Sequence, residues 1–212
     1  MINTIIFDAD GVIFDNEDLW DKGQTEFLGR RGLVYNRALT KHLLTGRSLS
    51  EGAKVMQGQY GFPGDPEILG EERKEIMKRF YQEAKLIPGF MEFFDTIKTK
   101  YKTAVATSSN IELFKILDSK FGITNLFRGH VYFLKDVNNV SKPKPDIFLY
   151  AAKMLNAKLE ECLVIEDAPF GIQAAKAAGM KTIGITSSYG KDVLSLADQI
   201  VDKFEEINLN VL

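Results

Sequence analysis

Histidine is scarce in this chain: His42 and His130 are the only two in 212 residues. That scarcity all but excludes His-based catalytic triads and multi-His metal sites. Acid–base chemistry is left to carboxylates and lysine. Cysteine is scarcer still. Cys162 stands alone, so no internal disulfide can form, and its apolar neighbours mark it as a small core residue. A reducing, cytoplasmic setting is expected. No apolar run approaches the roughly 18 residues of a membrane span, and no signal-peptide pattern opens the chain. Charge of one sign is also lacking. The net charge is −2, with Lys and Arg scattered, so neither nucleic acid nor an anionic membrane is an expected partner. Repeats and low-complexity segments are absent. Asn139-Val140-Ser141 matches a glycosylation sequon, with no secretion signal to give it meaning.

What remains is an ordinary globular composition, 45% apolar and 26% charged. The length suits one generous domain or a domain carrying a smaller insert. Four short runs read as buried strands: 4–7, 103–106, 162–165 and 182–185. They are nearly continuous in apolar residues, as parallel strands covered on both faces are. Weaker strand signals lie at 131–133 and 199–201. Helical patterns fall between them, at 90–100, 111–121, 146–155 and 170–178, the last stopped by Gly179. Alternating strands and helices predict a doubly wound, Rossmann-like parallel α/β sheet. The first connection breaks that rhythm. Residues 16–86 contain only helical pattern, divided by turn signals at Gly61–Pro66, and about 70 residues are too many for one crossover. The expected organisation is a core of residues 1–14 and 87–212 carrying a helical insert, 15–86.

In open α/β sheets, ligands bind beyond the carboxyl ends of the strands. The residues at those ends here are chemically rich. Asp8-Ala9-Asp10-Gly11 follows the first strand, Thr107-Ser108-Ser109 the second, and Glu166-Asp167 the third. Lys142 lies in "SKPKPDIF", just before a helix. Each has an ordinary reading: Asp as a turn former, Thr-Ser-Ser as a helix cap, Lys142 as a solvated lysine, Pro169 as a first-turn proline. Jointly they are harder to dismiss. Four carboxylates repel unless something positive sits among them, and an all-oxygen ligand set suits Mg²⁺ bridged to a phosphate.

These residues, in this order, resemble the four motifs of the haloacid dehalogenase-like phosphatases: Asp8-Ala9-Asp10-Gly11-Val12, Thr107, Lys142 in "SKPKPDIF", and "IEDAPFGIQAAKAAGM" from Ile165 to Met180. The resemblance covers essentially the whole chain. It points to the branch holding sugar-phosphate phosphatases, phosphoglycolate phosphatases and beta-phosphoglucomutases, and it makes the helical insert a cap domain. It implies that Asp8 is a nucleophile forming an aspartyl phosphate. Asp10 would be the general acid and then the base for water, its backbone carbonyl also binding metal. Asp8 and Asp167 would ligate Mg²⁺, and Glu166 would help directly or through water. Thr107, with Ser108 beside it, and Lys142 would grip the phosphoryl group. Asp10 must start protonated, so its pKa should be raised by burial and by its neighbour. Dehalogenating members lack the second aspartate, so Asp10 and the Glu166-Asp167 pair favour phosphate chemistry. Phosphonate-cleaving members use a cap lysine, and no lysine here stands out for that part.

The substrate is read by the cap, where Trp20 and Arg47 are the candidate contacts. Trp20 occupies the place of a histidine that beta-phosphoglucomutases use for gating. Hydrolysis of a sugar or polyol phosphate is therefore expected, by a monomer, over phosphoryl transfer between sugar hydroxyls. Two other classes share some of these residues. A phospho-accepting receiver domain also joins acids, a hydroxyl and a lysine, but its phosphorylated Asp normally follows a middle strand in a chain half as long. A non-catalytic phosphate-binding protein on the same fold would be expected to have lost motif residues, and all are present.

Overall fold

The computed structural model describes residues 1–211. β1 (Thr4–Phe7) leads to a two-residue strand, β2 (Phe14–Asp15). Four helices follow: α1 (Glu17–Gly29), α2 (Arg37–Leu44), α3 (Leu49–Tyr60) and α4 (Pro66–Phe80). A 3-10 turn over Tyr81–Glu83 brings the chain to β3 (Lys85–Leu86). It then continues through α5 (Phe90–Ile97), β4 (Lys102–Thr107), α6 (Ile111–Phe121), α7 (Ile123–Leu126), β5 (Val131–Phe133), α8 (Asp146–Met154), β6 (Cys162–Glu166), α9 (Pro169–Ala177), β7 (Lys181–Ile185) and β8 (Gln199–Val201).

Six strands form one sheet in the order β5-β4-β1-β6-β7-β8, and every pairing is parallel. Alternation along each strand divides the core. Ile5, Phe7, Val105, Leu163 and Ile165 pack on one face, while Ile6, Ala104, Ala106 and Val164 pack on the other. Helices cover both faces, which is why these strands read as unbroken apolar runs. Phe7 meets the rings of Phe90, Phe93, Phe94 and Phe127 with centroids 5.5–6.3 Å apart. The chain builds outward from β1 to β5 on one side, then crosses to β6 on the other. The carboxyl end of β1 is therefore the topological switch point.

Helices α1–α4 share a core of their own, built from Phe27, Leu28, Ala53, Met56, Leu69 and Ile76. Their boundaries follow local chemistry. Ser48 and Glu51 form a reciprocal capping box on α3, and Asp65 caps α4 with Pro66 in its first turn. One element departs from the sequence reading of 16–86 as wholly helical. Lys85–Leu86 pairs antiparallel with Phe14–Asp15, so a small two-stranded ribbon ties the two ends of the helical segment together. Two residues are too few to leave a periodic signal.

The segment between β7 and β8 reaches the switch point and is held by Asp198. Its carboxylate accepts from the Thr182 amide and hydroxyl at 2.8 and 2.9 Å and pairs with Lys176 at 2.9 Å. Burial alone would raise this carboxyl, but the Lys176 ammonium and the Thr182 donors outweigh it and hold it at about 2. A native value below the unfolded one stabilises the fold above pH ~4, and that contribution is lost as pH falls toward 2. Asp198→Asn is expected to cost about 1–2 kcal/mol at pH 7. In urea titrations the wild-type and variant stabilities should converge on acidification to pH ~2.

Candidate active site

Register brings the acidic residues level. Phe7 pairs with Ile165, and the Asp8 amide donates to the Ile165 carbonyl at 3.0 Å, so Asp8 and Glu166 leave adjacent strands side by side. Asp8, Glu166 and Asp167 are all buried, and one carboxylate oxygen from each lies within 4.8 Å of the others. Lys142, 4% exposed, is seated among them. Its ammonium lies 2.5 Å from Asp8 Oδ1 and 2.7 Å from Glu166 Oε1, and it donates to the Ala106 carbonyl at 3.4 Å. Glu166 Oε2 accepts from the amides of Asp167 and Ala168, both at 2.9 Å.

Two glycines make room for this cluster. Gly11 has a φ of +77°, and a Cβ there would overlap the Asp167 carboxylate. A Cβ on Gly171, in the first turn of α9, would overlap the carboxylate of Glu166. The sequence signal was available, since a glycine inside a helical pattern often marks a close approach.

Charge does not balance in the protein atoms alone, where three carboxylates face one ammonium. Burial pushes Asp8 up to about 7, with Glu166 adding to the rise and Lys142 opposing it. Burial likewise holds Asp167 well above the carboxylate range, reinforced by Glu166 and Asp8. Lys142 moves up, since Asp8 and Glu166 together overcome its own desolvation. A divalent cation would supply the two missing charges, and the all-oxygen donors of Asp8, Glu166 and Asp167 fit a hard one.

Asp10 faces away from this triad. Its Oδ1 accepts from the side-chain amide of Asn16 and, at 3.3 Å, from the Tyr81 hydroxyl. Burial raises the Asp10 carboxyl, the Asn16 hydrogen bond opposes this, and Glu17 adds to the rise. Glu17 of α1 is thus the carboxylate that adds to the rise of Asp10, and Asp10 in turn raises Asp8. Asn16 and Tyr81 flank the helical segment at its two ends. No motif announces either residue.

A cavity of about 260 Å³ opens beyond these groups, lined by Asp8, Asp10, Thr107, Ser108, Lys142 and Asp167 on the sheet side. Thr107 is buried, and its hydroxyl accepts from the Ser109 amide at 2.9 Å. The hydroxyl of Ser108 is buried without a protein partner and is open to a ligand's oxygens, while those of Ser109 and Ser188 lie against the carboxylates of Asp10 and Asp167. Trp20 and Arg47 line the helical side. Trp20 packs edge-on against Tyr81, 5.8 Å between centroids. Arg47 is exposed, donates from Nε to the Leu43 carbonyl at 2.7 Å, and leans over Phe170. Lys41 of α2 pairs with Glu17 at 2.6 Å and donates to the Ser188 carbonyl at 3.0 Å, bridging the helices and the sheet.

A family model described as haloacid dehalogenase-like hydrolase matches residues 2–179. The chain belongs to this family. Among curated proteins, the hydrolase is 31% identical to a phosphorylated carbohydrates phosphatase of Thermotoga maritima, over 100% of this chain and 98% of that protein. It is 30% identical to the fructose-1-phosphate phosphatase YqaB of Escherichia coli, over 85% and 95%. It also matches a longer Arabidopsis thaliana protein at 31% identity, spanning only 20% of that protein. The hydrolase superposes on CbbY of Rhodobacter sphaeroides in complex with xylulose-1,5-bisphosphate with a TM-score of 0.84. That match has 25% identity and covers 98% and 97% of the two chains.

The Gly171 cradle yields a direct test. Gly171→Ala is expected to displace Glu166, strip Lys142 of a partner and cost about 2–4 kcal/mol in urea titrations. Gly29→Ala, where a Cβ would meet nothing within 4 Å, should be neutral or slightly stabilising in the same experiment.

Proposed function

We propose that this hydrolase is a Mg²⁺-dependent phosphatase of a small phosphorylated metabolite, a sugar or polyol phosphate, acting through an aspartyl phosphate on Asp8. The observation that carries the reading is the placing of Asp8 beside Lys142 and an acidic triad, at the switch point and on the wall of one cavity. The curated relatives named for phosphorylated carbohydrates and fructose 1-phosphate support the substrate class.

In this reading an Asp8 oxygen attacks phosphorus in line, and the bond from phosphorus to the ester oxygen breaks. Lys142, Thr107 and Ser108 hold the equatorial oxygens as charge redistributes over them. Asp10, whose carboxyl is raised by burial, gives its proton to the departing oxygen. Asn16 and Tyr81 donate to Oδ1 and hold the carboxyl in place. Asp10 then takes a proton from water, which attacks the aspartyl phosphate, releases inorganic phosphate and restores Asp8. Asp8, Glu166 and Asp167, with the Asp10 backbone carbonyl, would hold Mg²⁺, which when bound offsets the repulsion between an anionic nucleophile and a dianionic ester. Helices α1–α4 act as the cap, residues 15–86 on a core of 1–14 and 87–212, with Trp20 and Arg47 touching the substrate. The imidazole that would favour sugar-to-sugar transfer is replaced by the indole of Trp20, which cannot relay a proton. A monomer in the cytoplasm suits the single, buried thiol.

A panel of phosphorylated carbohydrates with Mg²⁺ should release inorganic phosphate. Beta-glucose 1-phosphate, with or without glucose 1,6-bisphosphate, should yield phosphate faster than glucose 6-phosphate. Asp8→Asn should lower phosphate release more than about 10³-fold with the fold intact by circular dichroism. Retention of a tenth of the activity would remove Asp8 from the nucleophile's role.

The metal is testable without turnover. At pH 7.5, Mg²⁺ at about a hundredfold over its Kd should raise the melting temperature by roughly 5 °C relative to chelator. Asp167→Asn should abolish most of that shift. An equal shift in the variant would rule out Asp167 as a ligand.

A further inference from the structure

The proposed chemistry leaves one buried charge unused. Arg73, on α4, is 4% exposed, and its surface that remains lines the helical end of the cavity. It makes two hydrogen bonds, Nη1 to the Leu49 carbonyl at 2.5 Å and Nη2 to Gln24 Oε1 at 3.3 Å. Its Nε is buried with no partner. Three of its five N–H donors are thus free. Among the described residues no carboxylate forms an ion pair with it, and burial lowers its pKa to about 10. A desolvated guanidinium without a counter-ion is costly unless a ligand supplies one.

The rest of the wall does not neutralise it. Glu17 is paired with Lys41 at 2.6 Å, and Asp21 with Arg37 at 2.6 Å. Arg47 and Lys135 also line the cavity and form no ion pair among the described residues. The cavity wall therefore carries three cations, Arg73, Arg47 and Lys135, that no carboxylate of the described residues pairs. Lys142, by contrast, is already engaged by Asp8 and Glu166.

We infer that Arg73 is a specificity-determining residue that receives a second anionic group of the substrate, a carboxylate or a second phosphate, at the end remote from the phosphoryl group attacked by Asp8. Either anion matches the planar fork of a guanidinium; a sugar hydroxyl would bring an acceptor but no charge. The inference rests on the phosphatase reading and narrows it to phosphorylated sugar acids or bisphosphates. The competing role is a brace, since Arg73 holds the start of α3 through Leu49 and packs against Gly52.

The test uses matched esters that differ in the remote group: 3-phosphoglycerate against glycerol 3-phosphate, and fructose 1,6-bisphosphate against fructose 1-phosphate. Their Kd values are read by calorimetry with Mg²⁺ in the Asp8→Asn background, which avoids turnover. Release of p-nitrophenol from its phosphate ester by the wild-type enzyme tests the phosphatase reading separately. The anionic member of at least one pair should bind more than ~10-fold tighter. Arg73→Gln should reduce that ratio toward one, and Arg73→Lys, the variant to use if the glutamine form does not fold, should retain part of it. No preference for either anionic member, or an equal loss for both members of a pair in the variants, would overturn the inference and leave Arg73 as a brace.

Discussion

The ammonium of Lys142, sealed between Asp8 and Glu166, is the interaction on which the site depends. It is buried together with three carboxylates, and removing either partner would strand charge in a medium that cannot screen it. Every surrounding feature serves that contact. Parallel register sets Asp8 level with Glu166. The amides of Asp167 and Ala168 fix the second oxygen of Glu166, so its first oxygen can face Lys142. Gly171 and Gly11 leave the space that two carboxylates need. The arrangement is still short of positive charge, and that shortage, more than any single side chain, suits the cluster to a cation.

Asp10 is governed by different neighbours although it is only two residues from Asp8. Chain direction at the end of β1 turns its carboxylate toward the two ends of the helical segment, where Asn16 and Tyr81 meet it. The result is two carboxyl groups with separate environments, one tied to a lysine and one to neutral donors. That separation is what acid–base chemistry near neutrality requires of a pair of acids. It also links the orientation of Asp10 to the seating of the helices, because both of its donors lie where those helices join the sheet domain.

The sheet and its acidic edge were legible in the sequence because their signals are local. Continuous Val/Ile-rich runs report burial on both faces, and a polar cluster directly after such a run can only lie at a strand's end. Asp8, Thr107, Glu166 and Asp167 stand out that way, and Lys142 by its place in a motif. Tyr81, Asn16 and Arg73 carry no such signal, for a shared reason. Each acts through residues distant in sequence or across helices whose relative placement no periodicity encodes. Arg73 lies within a charged stretch, Glu71-Glu72-Arg73-Lys74, that reads as a solvated face. Only the packing of α4 on α1 and α3 turns it inward. The ribbon of β2 and β3 escaped for want of length.

The helices and the sheet domain meet across the cavity through polar contacts: Lys41 with the Ser188 carbonyl, Thr45 with Tyr189, Glu51 with Ser141, Lys74 with Glu112. Such contacts contribute on the order of 1 kcal/mol each and exchange readily with water. The helices keep their own apolar core, so separating these contacts would expose little of it. Apolar contacts join them as well: the ribbon, with Leu19, Met77 and Tyr81 buried in the sheet domain's core and Trp20, Leu49 and Phe80 packed against it, is the attachment that does not exchange with water. The loop after β7 touches both partners, Ser187 reaching the Gly11 carbonyl while Tyr189 meets Thr45. In the proposed phosphatase, helices seated over the edge as a lid would let their side chains set the substrate while the chemistry beneath stays constant.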